Sequence, residues 1–292
     1  GQTGFANKTD LAVTNGGGLR ETIAKDKPIT KGNIIAVLPF GNTISQIKVT
    51  GQNIADMFTK SLGSILQEKD GKPVLDENGQ PLLEPSGGFL QVSGAKVYYD
   101  TTLPAEKRIL HIEIKNKETG AYEALDLAKT YYLTTNDFLV AGGDGYTMLG
   151  GAREEGPSMD VAFADYLESA DLTAYAVINP NSRTISMSAS KDTDGDGYTD
   201  IEEIKQGTDP NDAASKPGQS NPTTPTTPGN PVVSSHLIKP TYQAPAQVRP
   251  MGAVSKQETL PQTGSKNPFL ISLFGLVLGT FGVASLKKTQ KD

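Results

Sequence analysis

Three glycine-rich segments constrain this chain most, because each follows a run that reads as a β-strand and forces the backbone to turn at that strand's end. They are Thr14-Asn-Gly-Gly-Gly-Leu-Arg20, Leu38-Pro-Phe-Gly-Asn-Thr43 and Asn136-Asp-Phe-Leu-Val-Ala-Gly-Gly-Asp-Gly-Tyr146. The strand-like runs before them span 11–14, 33–38 and 130–135. Glycine adopts positive φ without steric cost and lets backbone approach another molecule closely. The side chains around these turns are an arginine, an aspartate, two asparagines and two phenylalanines. That set suits a ligand that is flat, hydroxylated and anionic, and a nucleotide fits it.

Residues 1–189 read as one mixed α and β domain, large enough to bury a core. Further strands are expected at 44–49, 95–99, 110–114 and 184–187, where β-branched and aromatic runs are bounded by turn residues. A helix is predicted over 51–66 from the stripe Ile54, Met57, Phe58, Leu62 and Leu66. A second is predicted over 159–167, with Ser158 as candidate N-cap. Residues 67–86 are polar and broken by Pro and Gly, which indicates a surface insertion or extended hairpin. The chain opens at Gly1-Gln-Thr-Gly without Met or signal peptide, and 1–10 reads as a mid-domain loop entering a strand. The expectation is the C-terminal part of something longer.

Charge is concentrated. Of a formal net charge of −6, residues 191–212 contribute eight carboxylates against Lys191 and Lys205. The remainder is near neutral, which argues against a nucleic-acid polymer as partner. With no cysteine there is neither a disulfide framework nor thiolate chemistry. Asp192-Thr-Asp-Gly-Asp-Gly-Tyr-Thr-Asp-Ile-Glu-Glu203 has the D-x-D-x-D-G-x-x-D-x-x-E spacing of a calcium loop. Asp192, Asp194 and Asp196 supply alternate oxygens, Tyr198 a backbone carbonyl, Asp200 the often water-mediated ninth position and Glu203 a bidentate ligand. A short helix should leave this loop over 201–207. An acidic solvated linker is the plainer alternative.

Residues 214–259 are rich in Pro, Thr, Ser and Gln and read as a spacer, about 140 Å long as polyproline II or about 35 Å as a random coil. Then come Leu260-Pro-Gln-Thr-Gly264, an apolar stretch over 268–286 and a basic tail over 287–292. An apolar helix of that length rises about 28 Å, enough for one bilayer crossing, with the lysines held inside. A plain membrane anchor would share the last two features.

The tripartite tail resembles the cell-wall sorting signal of Gram-positive bacteria. The resemblance implies that a sortase cuts between Thr263 and Gly264 and joins Thr263 to peptidoglycan. The apolar helix then enters the membrane only transiently, and the mature protein is displayed on the cell wall. The acidic element, with Gly207-Thr-Asp-Pro-Asn-Asp212, resembles a bacterial thrombospondin type 3-like repeat, here read as structural calcium stiffening over 190–213 rather than a sensor.

Over residues 8–187 the chain resembles the C-terminal domain of the 5′-nucleotidase family, which includes UDP-sugar hydrolases and 2′,3′-cyclic nucleotide phosphodiesterases. The resemblance implies an α+β fold of layered mixed sheets that grips the nucleoside while a separate N-terminal metallophosphoesterase domain cleaves. It matches Phe40 and Phe138 to the rings that sandwich the base, and Asp144 to the carboxylate that accepts from ribose hydroxyls. Asn15 and Asn42 match amides near base and ribose, Arg20 the arginine on the phosphate side, and Gly87 a pocket glycine. A further arginine on an upstream helix, usual in the family, has no counterpart here. That leaves phosphate binding incomplete and the first strands short of a packing partner.

Hydrolysis in such enzymes needs divalent metals held by His, Asp and Asn. The chain has only His111, expected on the exposed face of its strand, and His236, in the spacer. It has neither an Asp-x-His pair nor a Gly-Asn-His-Glu segment. The chain itself is therefore expected to bind a nucleotide without cleaving it. The competing class is a non-catalytic surface adhesin or stalk that keeps a nucleotidase-like domain.

Overall fold

The computed structural model describes residues 4–24, 27–175 and 182–218. The elements are β1 (Leu11–Asn15), α1 (Lys31–Val37), β2 (Thr43–Thr50), α2 (Gly51–Ser61), β3 (Glu68–Lys69), β4 (Lys72–Pro73), β5 (Leu90–Ser93), β6 (Ala95–Tyr99), β7 (Ile109–Lys115), β8 (Tyr122–Ala124), β9 (Thr130–Asn136), α3 (Asp137–Val140), β10 (Arg153–Ser158), α4 (Met159–Ser169), β11 (Thr184–Ser186) and α5 (Asp200–Gln206). Two mixed sheets carry the α+β fold. One has the order β10-β2-β9-β1-β5, with β1 and β9 parallel; the other is β11-β6-β7-β8, with β11 and β6 parallel. The spacer beyond 218, His236, the 260–264 motif, the 268–286 stretch and the basic tail lie outside the described residues. Among the described residues no helix is long and apolar enough to cross a membrane.

Register builds the core. Leu133 of β9 stands opposite Leu11 of β1 on one side and Ile47 of β2 on the other, so the same face of three strands is apolar. The predicted stripe Ile54, Met57, Phe58 and Leu62 is fully buried on α2, which touches β2 of the first sheet and β7 of the second. Val97, Ile112 and Ile114 close the same cluster from the second sheet. Each such side chain contributes about 1.5–3 kcal/mol by leaving water. The helix begins sharply because Thr50 accepts from Asn53 N at 3.2 Å while Asn53 Oδ1 accepts from Thr50 N at 3.1 Å, a reciprocal cap. Only glycine fits next, since a Cβ on Gly51 would stand 2.0 Å from the Asp126 carbonyl oxygen.

Several sequence expectations are corrected. Residues 33–38 are not a strand but most of helix α1, capped by Thr30 through Asn33. Their β-branched run suggested a strand, yet Ile34 and Val37 are buried and Ile35 is exposed, a spacing of three rather than two. The second glycine segment thus follows a helix. α2 ends at Ser61 instead of 66, because Gly63 breaks it and Leu66 forms a β-bridge with Leu83 inside the 67–86 hairpin region. Strands β5, β8 and β10 were not foreseen. β10 is a polar edge strand whose register shifts between Glu155 and Ser158, where Gly156 and Pro157 sit. Ser158 takes the N-cap position of α4 without a side-chain capping bond; instead Met159 N donates to the Asn42 carbonyl at 2.8 Å.

His111 is not on an exposed face. Its side chain is 13% exposed, with its ring centroid 6.0 Å from that of Tyr98. Burial lowers its pKa and outweighs the opposing effect of Glu113, so it is neutral at pH 7.

The end of α2 is held by a long-range contact. Buried Arg108 donates to the carbonyls of Leu62 at 2.8 Å, Ser64 at 2.6 Å and Leu103 at 3.2 Å. A cation suits a helix C-terminus, where carbonyls point outward without intrahelical partners. Burial pulls its pKa below the usual guanidinium value, with Glu106 opposing. Arg108→Met should lower the unfolding free energy by about 2–4 kcal/mol through orphaned carbonyls, read from the urea midpoint at unchanged m. A loss under about 0.5 kcal/mol would mean that these carbonyls find other partners.

Candidate functional site

Parallel strands present their C-terminal ends at one edge, and β1 and β9 end in Asn15 and Asn136. Both amides are buried. Asn136 Nδ2 donates to Asn15 Oδ1 at 3.0 Å, and Asn15 Nδ2 donates to Asp144 Oδ2 at 2.9 Å. Asn136 Oδ1 caps α3 by accepting from Leu139 N at 2.8 Å. This chain of amides fixes each flip state and delivers one carboxylate to the loop surface. Asp144 Oδ1 accepts no hydrogen bond among the described residues.

The turn that carries Asp144 is strained. Asp144 has φ 53, between Gly142 at φ 86 and Gly145 at φ 79; among described non-glycine residues only Asp70 shares a positive φ. Such a conformation persists where the surroundings enforce it, and it marks candidate functional positions. Phe138, 43% exposed, lies on this turn: a Cβ on Gly143 would stand 2.5 Å from its ring. The glycine thus leaves room for an aromatic ring to approach the backbone closely.

The second segment joins the first and third. Asn42 Nδ2 donates to Asp137 Oδ1 at 2.8 Å, and Thr43 N reaches the same oxygen at 3.2 Å. Phe40 is 62% exposed, with the Arg20 guanidinium carbon 6.0 Å from its ring centroid. Arg20 N donates to the Val37 carbonyl at 3.0 Å, tying the first segment to α1. Phe40 and Phe138 make no ring contact with each other among the described residues. Gly17 N donates to the Gly87 carbonyl at 2.8 Å, and a Cβ on Gly17 would meet Gly87 Cα at 3.1 Å.

Asn15, Arg20, Phe40, Asn42, Gly87, Phe138 and Asp144 therefore fall in one connected group of loops. Both amides of the set are engaged within the protein, Asn15 with Asp144 and Asn42 with Asp137. Sequence reasoning passed over Asn136, although an asparagine before an apolar run is a readable cap signal. It also passed over Lys60, from the last turn of α2. Lys60 and Asp144 line a pocket of about 380 Å³ with Ser64, Ser86, Gly87 and Gly88. Neither Arg20 nor Lys60 has a carboxylate within 4.0 Å among the described residues. Under the pocket, buried Tyr146 donates its hydroxyl to the Gly88 carbonyl, and burial pushes its phenol up to about 12. Hydroxylated and anionic groups would both find complementary partners here.

The acidic loop is a second candidate site. Ligand oxygens of Asp192, Asp194 and Asp196 lie within 4.8 Å of one another. Backbone amides orient them: Gly195 N and Gly197 N reach Asp192 at 2.7 and 3.0 Å, Asp196 N reaches Asp194 at 3.1 Å, and Tyr198 N reaches Asp196 at 2.9 Å. Asp194 Oδ2, Asp196 Oδ2 and Glu203 Oε2 are buried with no hydrogen-bond partner among the described residues. Burial raises the Glu203 carboxyl, followed by the charges of Asp194 and Asp196; burial likewise raises Asp194. Orphaned, mutually repelling oxygens fit a bound divalent cation, held by these three aspartates and Glu203. Asp200, at the often water-mediated ninth position, accepts from Thr193 N and Oγ1, both at 2.7 Å, and braces the loop.

The chain matches the family described as 5′-nucleotidase, C-terminal domain, over residues 3–151, and the bacterial TSP3 repeat over 192–213. It is 32% identical over 156 residues to the trifunctional nucleotide phosphoesterase protein YfkN of Bacillus subtilis, covering 53% of this chain and 9% of that protein. It is 32% identical over 170 residues to the snake venom 5′-nucleotidase of Naja atra, covering 56% of this chain and 29% of that one. Against the solved 5′-nucleotidase precursor of Thermus thermophilus the TM-score is 0.47 at 32% identity, covering 61% of this chain and 32% of that one. The chain spans less than a third of the length of these relatives.

A cation in the acidic loop should stabilise it against opening. With free calcium a hundredfold above its Kd, proteolysis within 192–213 should slow about a hundredfold relative to EDTA, as read by mass spectrometry. Equal rates in the two buffers would count against a bound ion.

Proposed function

Since this chain belongs to the 5′-nucleotidase family through that family's C-terminal domain, we propose that its three loops bind the nucleoside of an extracellular nucleotide whose phosphoester is hydrolysed elsewhere. One observation carries the reading: a strained aspartate, Asp144, is held by Asn15 with one carboxylate oxygen left to accept. A ribose diol offers two donors to such an oxygen, and the exposed Phe138 of α3, packed against that turn at Gly143, offers a stacking face for the base. Phe40 and Phe138 would take the two faces of the ring, and Arg20 would lie on the phosphate side, where a planar guanidinium suits phosphate oxygens. Asn15, Asn42 and Gly87 would complete the wall. Because stacking reads any ring, these contacts recognise a nucleoside before they choose a base.

The proposal assigns bond cleavage to a metal-bearing domain outside these 292 residues, consistent with the small share of its relatives that the chain covers. It assigns the acidic loop a structural calcium ion, supported by the TSP3 match and the orphaned carboxylates. Residues 214–259 would span the wall, and the Leu260–Gly264 motif would be the sortase substrate, cut after Thr263 and joined to peptidoglycan. The hydrolase would then act on the outer face of a Gram-positive cell, with residues 1–189 as its recognition domain.

The pocket is tested by titrating the chain with adenosine and AMP. Phe40→Ala and Phe138→Ala should each weaken adenosine binding about 5- to 150-fold, the loss of one stacking face. Asp144→Asn should weaken adenosine more than free adenine. Unchanged affinity in both phenylalanine variants would refute the stacking assignment. For the anchor, sortase with an oligoglycine nucleophile should give a product ending at Thr263 before the added glycines; an intact chain would overturn the sorting reading.

A further inference from the structure

The segment after α5 folds back onto the acidic loop. Gly207 ends the helix at φ 73, and Thr208 N donates to the Glu203 carbonyl at 3.0 Å. A tight turn follows: Asp212 N donates to the Asp209 carbonyl at 3.1 Å, Ser215 N to the Asp212 carbonyl at 2.7 Å, and Asp209 N to Ser215 Oγ at 3.0 Å. This turn delivers Lys216. Its Nζ donates to the Asp196 carbonyl at 3.0 Å and stands 3.6 Å from Asp196 Oδ2.

The pair is not an ordinary surface ion pair. The Asp196 side chain is 0% exposed and the Lys216 side chain 32%. The ammonium lies beside an oxygen that a cation in the loop would use, since Asp196 is the third of the alternating carboxylates. It serves one carboxylate and one carbonyl, while Asp194 Oδ2 and Glu203 Oε2 are buried without hydrogen-bond partners among the described residues. The compensation is partial, and a divalent ion would serve the remaining oxygens as well.

Given a cation in the acidic loop, we propose that Lys216 is a built-in competitor for that cation. The ammonium holds the Asp196 corner of the loop until calcium arrives and displaces it. Two cations around one carboxylate repel each other strongly in partly desolvated surroundings. Calcium binding therefore has to move Lys216 outward, which weakens the site and loosens the turn over 209–216. The loop's affinity is set by this internal ammonium as well as by its ligands.

The test uses calorimetric calcium titration of the 292-residue chain and of Lys216→Met, together with amine acetylation of the unsubstituted chain read by mass spectrometry. Lys216→Met should bind calcium on the order of tenfold more tightly. Acetylation of Lys216 should rise several-fold on calcium saturation, while that of exposed Lys48 stays constant. Equal or weaker calcium affinity in Lys216→Met overturns the competitor role and leaves the calcium loop standing. No calcium binding by either chain overturns the loop assignment itself, and the competitor role with it.

Discussion

The candidate pocket depends on the parallel pairing of β1 with β9. Parallel neighbours cannot be joined by a hairpin, and the intervening chain here includes α1, α2, the 67–86 region and most of the second sheet. Only when that chain has folded do Asn15 and Asn136 come together. The hydrogen bond from Asn15 to Asp144 then spans 129 residues of sequence. A buried hydrogen bond contributes about 1 kcal/mol net, but a buried amide left without its partner costs about 1–3 kcal/mol. The amide chain is thus a check on the fold: a slip of register between β1 and β9 would orphan several groups at once.

On that base the loops hold the candidate binding groups in fixed positions. Asp144 keeps its positive φ because Gly142 and Gly145 turn on either side of it and Asn15 holds its carboxylate. The Phe138 ring occupies the space that a Gly143 side chain would fill. Phe40 stands more than half exposed beside Arg20, and Asn42 ties its loop to Asp137. Loops fixed to a rigid scaffold in this way lose less conformational freedom on binding than mobile ones.

Much of this was legible in the sequence, for identifiable reasons. The stripe on α2 and the alternation in β6 and β7 are local periodicities, and the acidic loop is a local spacing. The glycine segments were readable as turns, and family likeness grouped them. What local pattern missed was decided at a distance. Ile34, Ile35 and Val37 have strand-like side chains, but Thr30 and Asn33 cap a helix and only two of the three apolar residues are buried. The 51–66 helix stops early at Gly63, where Leu66 leaves to bridge Leu83, and Arg108, 46 residues beyond Leu62, holds the carbonyls at its end. Asn42 turns to Asp137 and Lys60 lines the pocket through tertiary placement alone. β10 escaped notice because an edge strand with one sheet neighbour needs no apolar alternation.

The acidic element, which composition would assign to a flexible stalk, is mounted on the second sheet. β11 pairs with β6, Ala189 N donates to Asp100 Oδ2 at 2.8 Å, and α5 packs against β7 with Ile201 buried. Asp200 N then donates to the Lys191 carbonyl at 2.7 Å, closing the loop on itself. Four carboxylates held by such a frame cannot move apart to relieve their repulsion. Folding this edge of the domain therefore carries an electrostatic cost that a cation removes, and Lys216 removes part of it from within. A bound ion would therefore act on the same body that positions Asn15 and Asp144. If the loop holds a cation, the net charge of −6 over 191–212 would make the stability of this edge of the domain follow its cation supply.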